Sequence, residues 1–552
     1  MARHVRPSEY QPELPRDKLI LNEAPADENI EVDVLIVGAG PAGLACAIEL
    51  ANLARKDNES GNGIGDLSIA VLEKAGAVGD HCLSGAVINP TAFTNLFPDL
   101  RVSDFPFRAP VKKESVHFLT KVGSVRMPTP PTMKNHGYQI ASLCEVARWL
   151  ASRAEEMGVD IFAGYPAEAM LVNGHTVRGV RTAPTGLDRD GKPMSNYTPG
   201  TDVVAKVTCL AEGTRGSLSQ AYFAWQNVTT QNPQIYALGV KEIWETKKPL
   251  DAVIHTMGWP LPRTVFGGSF MYPLEDKLLA IGLVAGLDYE ETGFDIFQRF
   301  QEMKTHSFFR EYLDGGEMVE WGAKTIPEGG FYAIPDRRYG HGVIILGDAA
   351  GFVNVPALKG IHYAMQSGIY GARAVFEALK NGATSAPHLA PYDGLVNDSF
   401  IMDDLYRVRN MRSAFKGGFF AGGIKAAAMT LTGGKAFGKK IAMKPDAAVR
   451  KHIKPAEPFV PDNTLTFSKV DAVFKSGNAT RDTVPSHLIV EKDVGEDVAR
   501  MYQHMCPAGV YEVVEGRLQV NAPNCVDCKA TDVIGPRWTV REGGSGPAYK
   551  RM

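Results

Sequence analysis

No run of about 18 apolar residues occurs in the 552 residues, so the sequence offers no membrane-spanning helix. Cysteine is scarce. Seven residues, an odd number in so long a chain, do not form a disulfide framework. Neither sign of charge dominates: 59 Lys and Arg stand against 62 Asp and Glu, and the net charge of -3 implies no polyanion partner. A G-x-x-x-x-G-K-[ST] phosphate loop is missing. The first 29 residues have no apolar leader core and carry acidic residues beside arginine, so neither a signal peptide nor a transit peptide is expected. The length exceeds one core, and two to four interleaved domains are expected.

What is present begins with Gly38-Ala39-Gly40-Pro41-Ala42-Gly43. An apolar run, Val34–Val37, precedes it and a helix-like run, Leu44–Leu50, follows. In a strand–turn–helix the first Gly permits the turn and the second admits a pyrophosphate to the backbone. The third lets helix and strand pack closely, and the positive helix end faces the phosphates. A strand is expected over Leu67–Leu72, with Glu73 at its end placed to accept from ribose hydroxyls. The polar stretch Arg55–Asp66 reads as a loop insertion, and its Gly61-Asn62-Gly63-Ile64-Gly65 is a decoy with no strand before it.

Further along, Ser142–Met157 reads as an amphipathic helix, Val172–Val180 as a hairpin with an Asn-Gly turn, and Val203–Leu210 as a strand. Phe266–Pro273 and Leu278–Leu283 look like sheet strands. Val343–Leu346 is a buried strand ending in Gly347-Asp348-Ala349-Ala350-Gly351, and a long helix is expected over Leu358–Leu379. Asp348 after that strand suits a flavin's ribityl hydroxyl, with the helix N-terminus approaching the ring; the bland alternative is an N-cap Asp. A second dinucleotide fingerprint and a redox C-x-x-x-x-C are both missing, which argues against a disulfide reductase.

Cys46, Cys82, Cys144 and Cys209 are scattered and read as structural thiols. Cys506, Cys525 and Cys528 cluster near the C-terminus, after the Pro-rich stretch Pro455–Thr464 that marks a boundary. Cys-Pro followed by C-x-x-C favours an iron–sulfur cluster. A zinc site with His504 is the alternative, although His504 and Cys506 are separated by a single residue.

These motifs, with Ser84-Gly85-Ala86-Val87-Ile88, Glu212–Gly216, Phe266–Ser269, Cys506-Pro507-Ala508 and the closing Gly543–Tyr549, resemble the electron-transfer flavoprotein–ubiquinone oxidoreductases from about residue 30 to 550. The resemblance implies an α/β fold: a Rossmann-type FAD-binding domain interleaved with a mixed-sheet quinone-binding domain, plus a small ferredoxin-like iron–sulfur domain. The expected division is a polar tail over 1–29, the interleaved domains over 30–455 and the cluster domain over 456–552. The FAD parts fall near 30–110, 140–215 and 330–400. It also implies FAD, one 4Fe–4S cluster and ubiquinone as acceptor, with reduced electron-transfer flavoprotein as donor.

By position, Gly38, Gly40, Gly43, Glu73, Asp348 and Gly351 resemble the cofactor-binding residues. Gly267 and Gly268 resemble the quinone contacts, and Cys506, Cys525 and Cys528 the cluster ligands. The family's C-x-x-C-x-x-C is broken here by Thr531, so the fourth iron either uses another ligand, with Asp527, Asp532, the Thr531 hydroxyl or water as candidates, or is absent. Phe415–Lys435 is similar to a membrane-contacting stretch. Its lysines 416, 425 and 435 interrupt any span, with Phe419, Phe420, Ile424, Met429 and Leu431 as apolar anchors. The expected placement is peripheral, on the cytoplasmic face of a bacterial inner membrane. No acid–base dyad or nucleophile is required. Rival readings are another FAD oxidoreductase on the same scaffold, such as a prenyl-chain reductase or monooxygenase, or a non-catalytic electron carrier.

Overall fold

The structure is a computed structural model that describes residues 4–61, 63–85, 87–275, 277–491 and 493–552. Ala86 and Asn62 of the motifs above lie outside the described residues. Strand β1 (Asn29–Val37) leads through the glycine turn into α1 (Pro41–Glu59), and β2 (Ile69–Glu73) follows. After β3 (Glu114–Leu119) and α2 (Leu143–Glu155) come β4 (Asp160–Ala163), β5 (Ala167–Asn173), β6 (Thr176–Thr182) and β7 (Asp202–Leu210). A long meander then runs β8 (Tyr236–Glu245), β9 (Val253–Gly258), β10 (Gly267–Glu275), β11 (Leu278–Gly286) and β12 (Glu317–Pro327). β13 (Val343–Ile345), α3 (Ile361–Lys380), α4 (Phe419–Leu431) and α5 (Glu496–Met505) complete the elements that position the site.

Two sheets result. The first has the order β4-β2-β1-β7-β6-β5, closed at its edge by Ile20–Leu21, with β13 paired to β7. The C-terminal halves of its parallel strands β2, β1, β7 and β13 are buried on both faces, as in a covered parallel sheet. They end level with one another, Leu72 beside Val37, Val37 beside Leu210 and Leu210 beside Ile345. Turns after parallel strands collect at that edge, which is where such sheets bind ligands. The second sheet, β12-β8-β11-β10-β9-β3 and then Ser124–Met127, is antiparallel except for β9 against β3. One of its faces looks toward the open edge of the first sheet. The other packs into a core shared with α5 and the cysteine module.

Several boundaries differ from expectation. α1 runs on to Glu59, so the surface loop begins about five residues later than Arg55. The hairpin turn is Gly174-His175, with Gly174 at φ +59°, one residue beyond Asn-Gly; Asn173 is still paired with Thr176. α3 begins at Ile361 rather than Leu358, because Leu358 takes φ +57° and Lys359 pairs back to Asn354. Residues 4–29 are not a loose tail. His4–Val5 pairs with Lys451–His452, and Gln11 donates to the carbonyls of Asp532 and Gly535 at 3.0 Å each.

α1 and α3 cross closely enough that a Cβ on Gly368 would lie 2.2 Å from the Ala42 carbonyl oxygen. Ala42 sits in the first turn of α1, so this contact fixes the helix end that faces the glycine turn. Gly368→Val is expected to force the helices apart and to cost about 1–3 kcal/mol. A lowered urea midpoint together with flavin loss checks it; an unchanged midpoint would show that the crossing has slack.

Candidate functional site

The glycine turn divides its labour. A Cβ on Gly38, at φ +109°, would lie 2.5 Å from the Ala211 carbonyl oxygen, and one on Gly43 would lie 2.1 Å from the Gly38 carbonyl oxygen. Both are needed for packing. A Cβ on Gly40 would meet nothing within 4 Å. That gap opens into a cavity of about 1180 Å³, at the unsatisfied N–H groups that begin α1. Glu73 ends β2 beside it. Its Oε2 accepts from Ala39 N at 3.0 Å and its Oε1 from Ala75 N at 2.9 Å, which braces the carboxylate against the turn. The residues therefore fit a dinucleotide, with room left only where a phosphate would come.

Asp348 lies in a short helical turn, Gly347–Ala350, and lines the same cavity. No described group hydrogen-bonds its carboxylate. Removal from water raises its pKa to about 6, against the pull of Lys324. An unpaired carboxylate facing a cavity suits a hydroxyl-bearing ligand, so the N-cap alternative is not what the geometry shows. Gly351 takes φ +85° to close the turn and does not line the cavity; like Gly43, it shapes the site without facing it.

The expected quinone-end glycines lie at the far end of that cavity. A Cβ on Gly268 would be 2.6 Å from the Thr256 carbonyl oxygen, and one on Gly267 2.1 Å from that of Val284. Beside them His255 Nε2 and Tyr272 Oη are 2.7 Å apart, both buried. α4 covers the mouth. Phe419 packs on Phe118 and Phe415, and Phe415 on Phe266. Met429 is buried in a small cluster with Met411 and Ala414, so it is not an outward anchor. The exposed stripe is Phe420, Ile424, Ala427 and Leu431, at helical spacing, with Leu431 88% exposed.

Cys506, Cys525 and Cys528 are all buried, and burial pushes each thiol's pKa up, Cys525 to about 12. Such thiols ionise only if a metal supplies positive charge. Val510 N donates to Cys506 Sγ at 3.4 Å. Zinc would draw its ligands into one tight tetrahedron. Among the described residues the only group of three or more ligand atoms within 4.8 Å of one another is His487, Cys525 and Asp527, so the three thiols are spread wider than that. His504 turns away toward Asp295, 3.7 Å from its carboxylate. In the same module the buried donors His487 Nε2 and Arg541 Nε and Nη1 have no partner among the described residues. Arg541 also holds the Cys525 carbonyl. Wide thiols ringed by orphan donors fit an anionic iron–sulfur cluster.

The fourth corner is open. Asp527 is taken by Lys74 at 2.5 Å, Arg541 at 2.9 Å and Trp538 Nε1 at 3.1 Å. Asp532 accepts from Arg215 at 2.8 Å and Gln220 at 3.1 Å. The Thr531 hydroxyl donates to the Pro536 carbonyl at 3.0 Å and lies 2.6 Å from Tyr511 Oη. Lys324, Lys529 and Trp538 also wall the cavity, which brings the cysteine module to its edge; no sequence motif marks them.

Two outcomes follow from this geometry. Gly40→Val should fold, since its Cβ meets no protein atom, yet carry little flavin; full flavin absorbance in the purified variant would displace the nucleotide from the turn. With three thiolates, a four-iron cluster should lose its unique iron on oxidation and give a three-iron EPR signal. Thr531→Cys should suppress that signal, and an identical signal would mean that residue 531 does not face the cluster.

Comparison with known proteins agrees with this layout. Residues 236–326 match the family described as "ETF-QO, ubiquinone-binding", and residues 463–550 that described as "Electron transfer flavoprotein-ubiquinone oxidoreductase, 4Fe-4S". The mitochondrial electron transfer flavoprotein-ubiquinone oxidoreductase of Arabidopsis thaliana is 39% identical over 95% of this chain and 85% of its own. That of Homo sapiens is 37% identical over 95% and 89%. Among solved structures, a geranylgeranyl bacteriochlorophyll reductase-like protein from Thermoplasma acidophilum has a TM-score of 0.58 at 16% identity, over 74% of this chain and 97% of its own, which shows the fold alone. This chain belongs to the electron transfer flavoprotein–ubiquinone oxidoreductase family.

Proposed function

We propose that this chain takes electrons from reduced electron-transfer flavoprotein and passes them through FAD and a 4Fe–4S cluster to ubiquinone at a membrane surface. One observation carries the reading: a single cavity joins the phosphate turn at Gly38 and Gly40, Asp348, the Gly267-Gly268 floor and helix α4, with Lys529 and Trp538 of the cysteine module in its wall. When bound, FAD exchanges one or two electrons and the cluster one. The chain's own contribution is placement. Gly38, Gly40, Gly43 and Glu73 would hold the adenosine diphosphate end. Asp348 would hold the ribityl chain, with Gly351 setting its turn. Gly267 and Gly268 would leave room for the quinone head against bare backbone. Cys506, Cys525 and Cys528 would hold three irons. In the same reading residues 30–455 form the interleaved FAD and quinone domains and 456–552 the cluster domain.

No described helix is long and apolar enough to cross a membrane. The stripe Phe420, Ile424, Ala427 and Leu431, at the cavity mouth, is suited to lie in a lipid interface and admit a prenyl tail beside it. The relatives' names carry "mitochondrial". The cytoplasmic face of a bacterial inner membrane remains this reading's placement for the present chain. The rival FAD oxidoreductases would leave the cysteine module without a role, and a mere carrier would leave the Gly267-Gly268 floor without one.

The test is reduction of ubiquinone in liposomes by the purified holoprotein, with reduced electron-transfer flavoprotein as donor. Turnover is expected, and its absence from a flavin- and iron-loaded sample sinks the reading. Replacing Phe420, Ile424 and Leu431 together by Ser should release the protein from liposomes, since each large apolar side chain is worth about 1.5–3 kcal/mol when buried. Flavin content should stay intact. Retained liposome binding would exclude this stripe from the interface.

A further inference from the structure

Lys359 is a buried lysine without a carboxylate partner. It is 7% exposed, and among the described residues no acidic group lies within ion-pair distance of it. Its Nζ reaches only the carbonyls of Ala357, at 3.3 Å, and Leu358, at 3.5 Å, and stands 5.6 Å from the Tyr138 ring centre. An ammonium taken out of water with so little compensation is costly, and buried lysines of this kind are recurrent sites of proton chemistry. The loop that carries it is held rigidly. Asn354 and Lys359 exchange backbone hydrogen bonds at 2.8 and 3.2 Å, and Leu358 takes φ +57°, which aims the next residue into the cavity at the start of α3.

That cavity is the one floored by Gly267 and Gly268. On the sheet, Gly268, Phe270 and Tyr272 alternate on one face of β10. His255 of β9 pairs with Phe270, so its ring is the diagonal neighbour of Gly268 on that face. His255 is bonded through Nε2 to Tyr272, and its other ring nitrogen makes no hydrogen bond among the described residues. Lys359 is close enough to depress the basicity of both His255 and His362. Burial is the main cause of those shifts, which bring both histidines to about 3 and keep them neutral. Of the lysine and these two histidines, the lysine is therefore the one that brings a proton to this floor; Lys241, which also lines the cavity, is turned to the Ser84 carbonyl at 2.9 Å. The titratable groups that face it are Glu114 of β3, Tyr138, His255 with Tyr272, and His362 of α3.

We propose that Lys359 is the acid that protonates the quinone carbonyl oxygen lying over Gly268, beside the His255 imidazole that Tyr272 holds. The inference rests on the quinone-reducing reading above. A quinone becomes a quinol by gaining two electrons and two protons. The electrons come from the protein's redox centres. One Nζ–H bond of Lys359 breaks as one O–H bond forms, leaving a neutral amine. Solvent reprotonates that amine through the cavity and supplies the second proton to the outer oxygen at the mouth. Burial lowers the Lys359 pKa to about 7, against the raising effect of Glu114. The ammonium is the acid, so the competent form is full below that pH and is lost as pH rises through it.

The experiment uses the full holoprotein, ubiquinone-1 as acceptor and reduced electron-transfer flavoprotein as donor. Wild-type kcat should be level below about pH 7 and fall about tenfold per unit above it. Lys359→Met should lower kcat about 100-fold and erase that limb, while flavin content and bleaching of the flavin by the donor stay as in wild type. Lys359→Arg, which keeps a charge but does not titrate here, should also lack the limb. Ethylamine should restore turnover to Lys359→Ala in proportion to its ammonium form, an effect that a structural role for the lysine would not give. The proposal is overturned if Lys359→Met keeps wild-type kcat and the same limb, or if wild type shows no limb near pH 7. Should wild type reduce no quinone at all while loaded with flavin and iron, the function fails and this inference with it.

Discussion

A carboxylate with 1% of its side chain exposed to water, Asp527, is the point on which the arrangement of modules depends. It lies between Cys525 and Cys528 in sequence and is gripped by Lys74, Arg541 and the Trp538 indole. Burial works against its ionisation, but Arg541 and Lys74 outweigh that and hold the carboxyl well below the usual carboxylate range. Such a group depends on its partners: with all of them gone a bare charge would be left inside, at a cost of about 3–5 kcal/mol. Lys74 directly follows Glu73 in sequence, so a single backbone step separates the carboxylate at the nucleotide turn from the tether to the cysteine loop. The glycine turn and the cysteine loop are thereby tied together by an ion pair as well as by the chain.

The rest of the architecture keeps that junction dry and the cavity open. The parallel strands end level, the two sheets face each other, and glycine is used wherever backbone must come close: at Gly43 and Gly368 for helices, and at Gly267 and Gly268 for the floor. Within the Gly38-x-Gly40-x-x-Gly43 turn, Gly40 alone is spared for a ligand. The N-terminal residues reinforce the same junction from behind. Arg537 donates to the Pro12 carbonyl at 2.7 Å and Gln11 reaches two carbonyls of the cysteine module.

Much of this was legible in the sequence where chemistry is local. Strand, glycine turn, helix and Glu73 form a motif whose parts sit within forty residues, and Gly347–Gly351 and the cysteine spacing are equally compact. What the sequence did not reveal is non-local. Lys359 and His255 look ordinary in their own segments, and only the sheet register and the loop at Asn354 bring them to one floor. Met429 reads as a membrane anchor by hydropathy, but helix phase turns it inward onto Met411. Composition marks residues 4–29 as polar, although their structure comes from backbone pairing that composition does not record. The loop expected over Arg55–Asp66 starts later because α1 continues through the polar Lys56–Glu59, where Asp57 is held by Lys380 and by Ile64 N, contacts that composition does not record.

Lys529, Trp538 and Val540 belong to the cysteine module but finish the wall of the flavin cavity. The chamber is therefore closed by residues that lie far apart in the chain: without the last hundred residues, the wall that Lys529, Trp538 and Val540 supply would be missing and the chamber would stand open on that side.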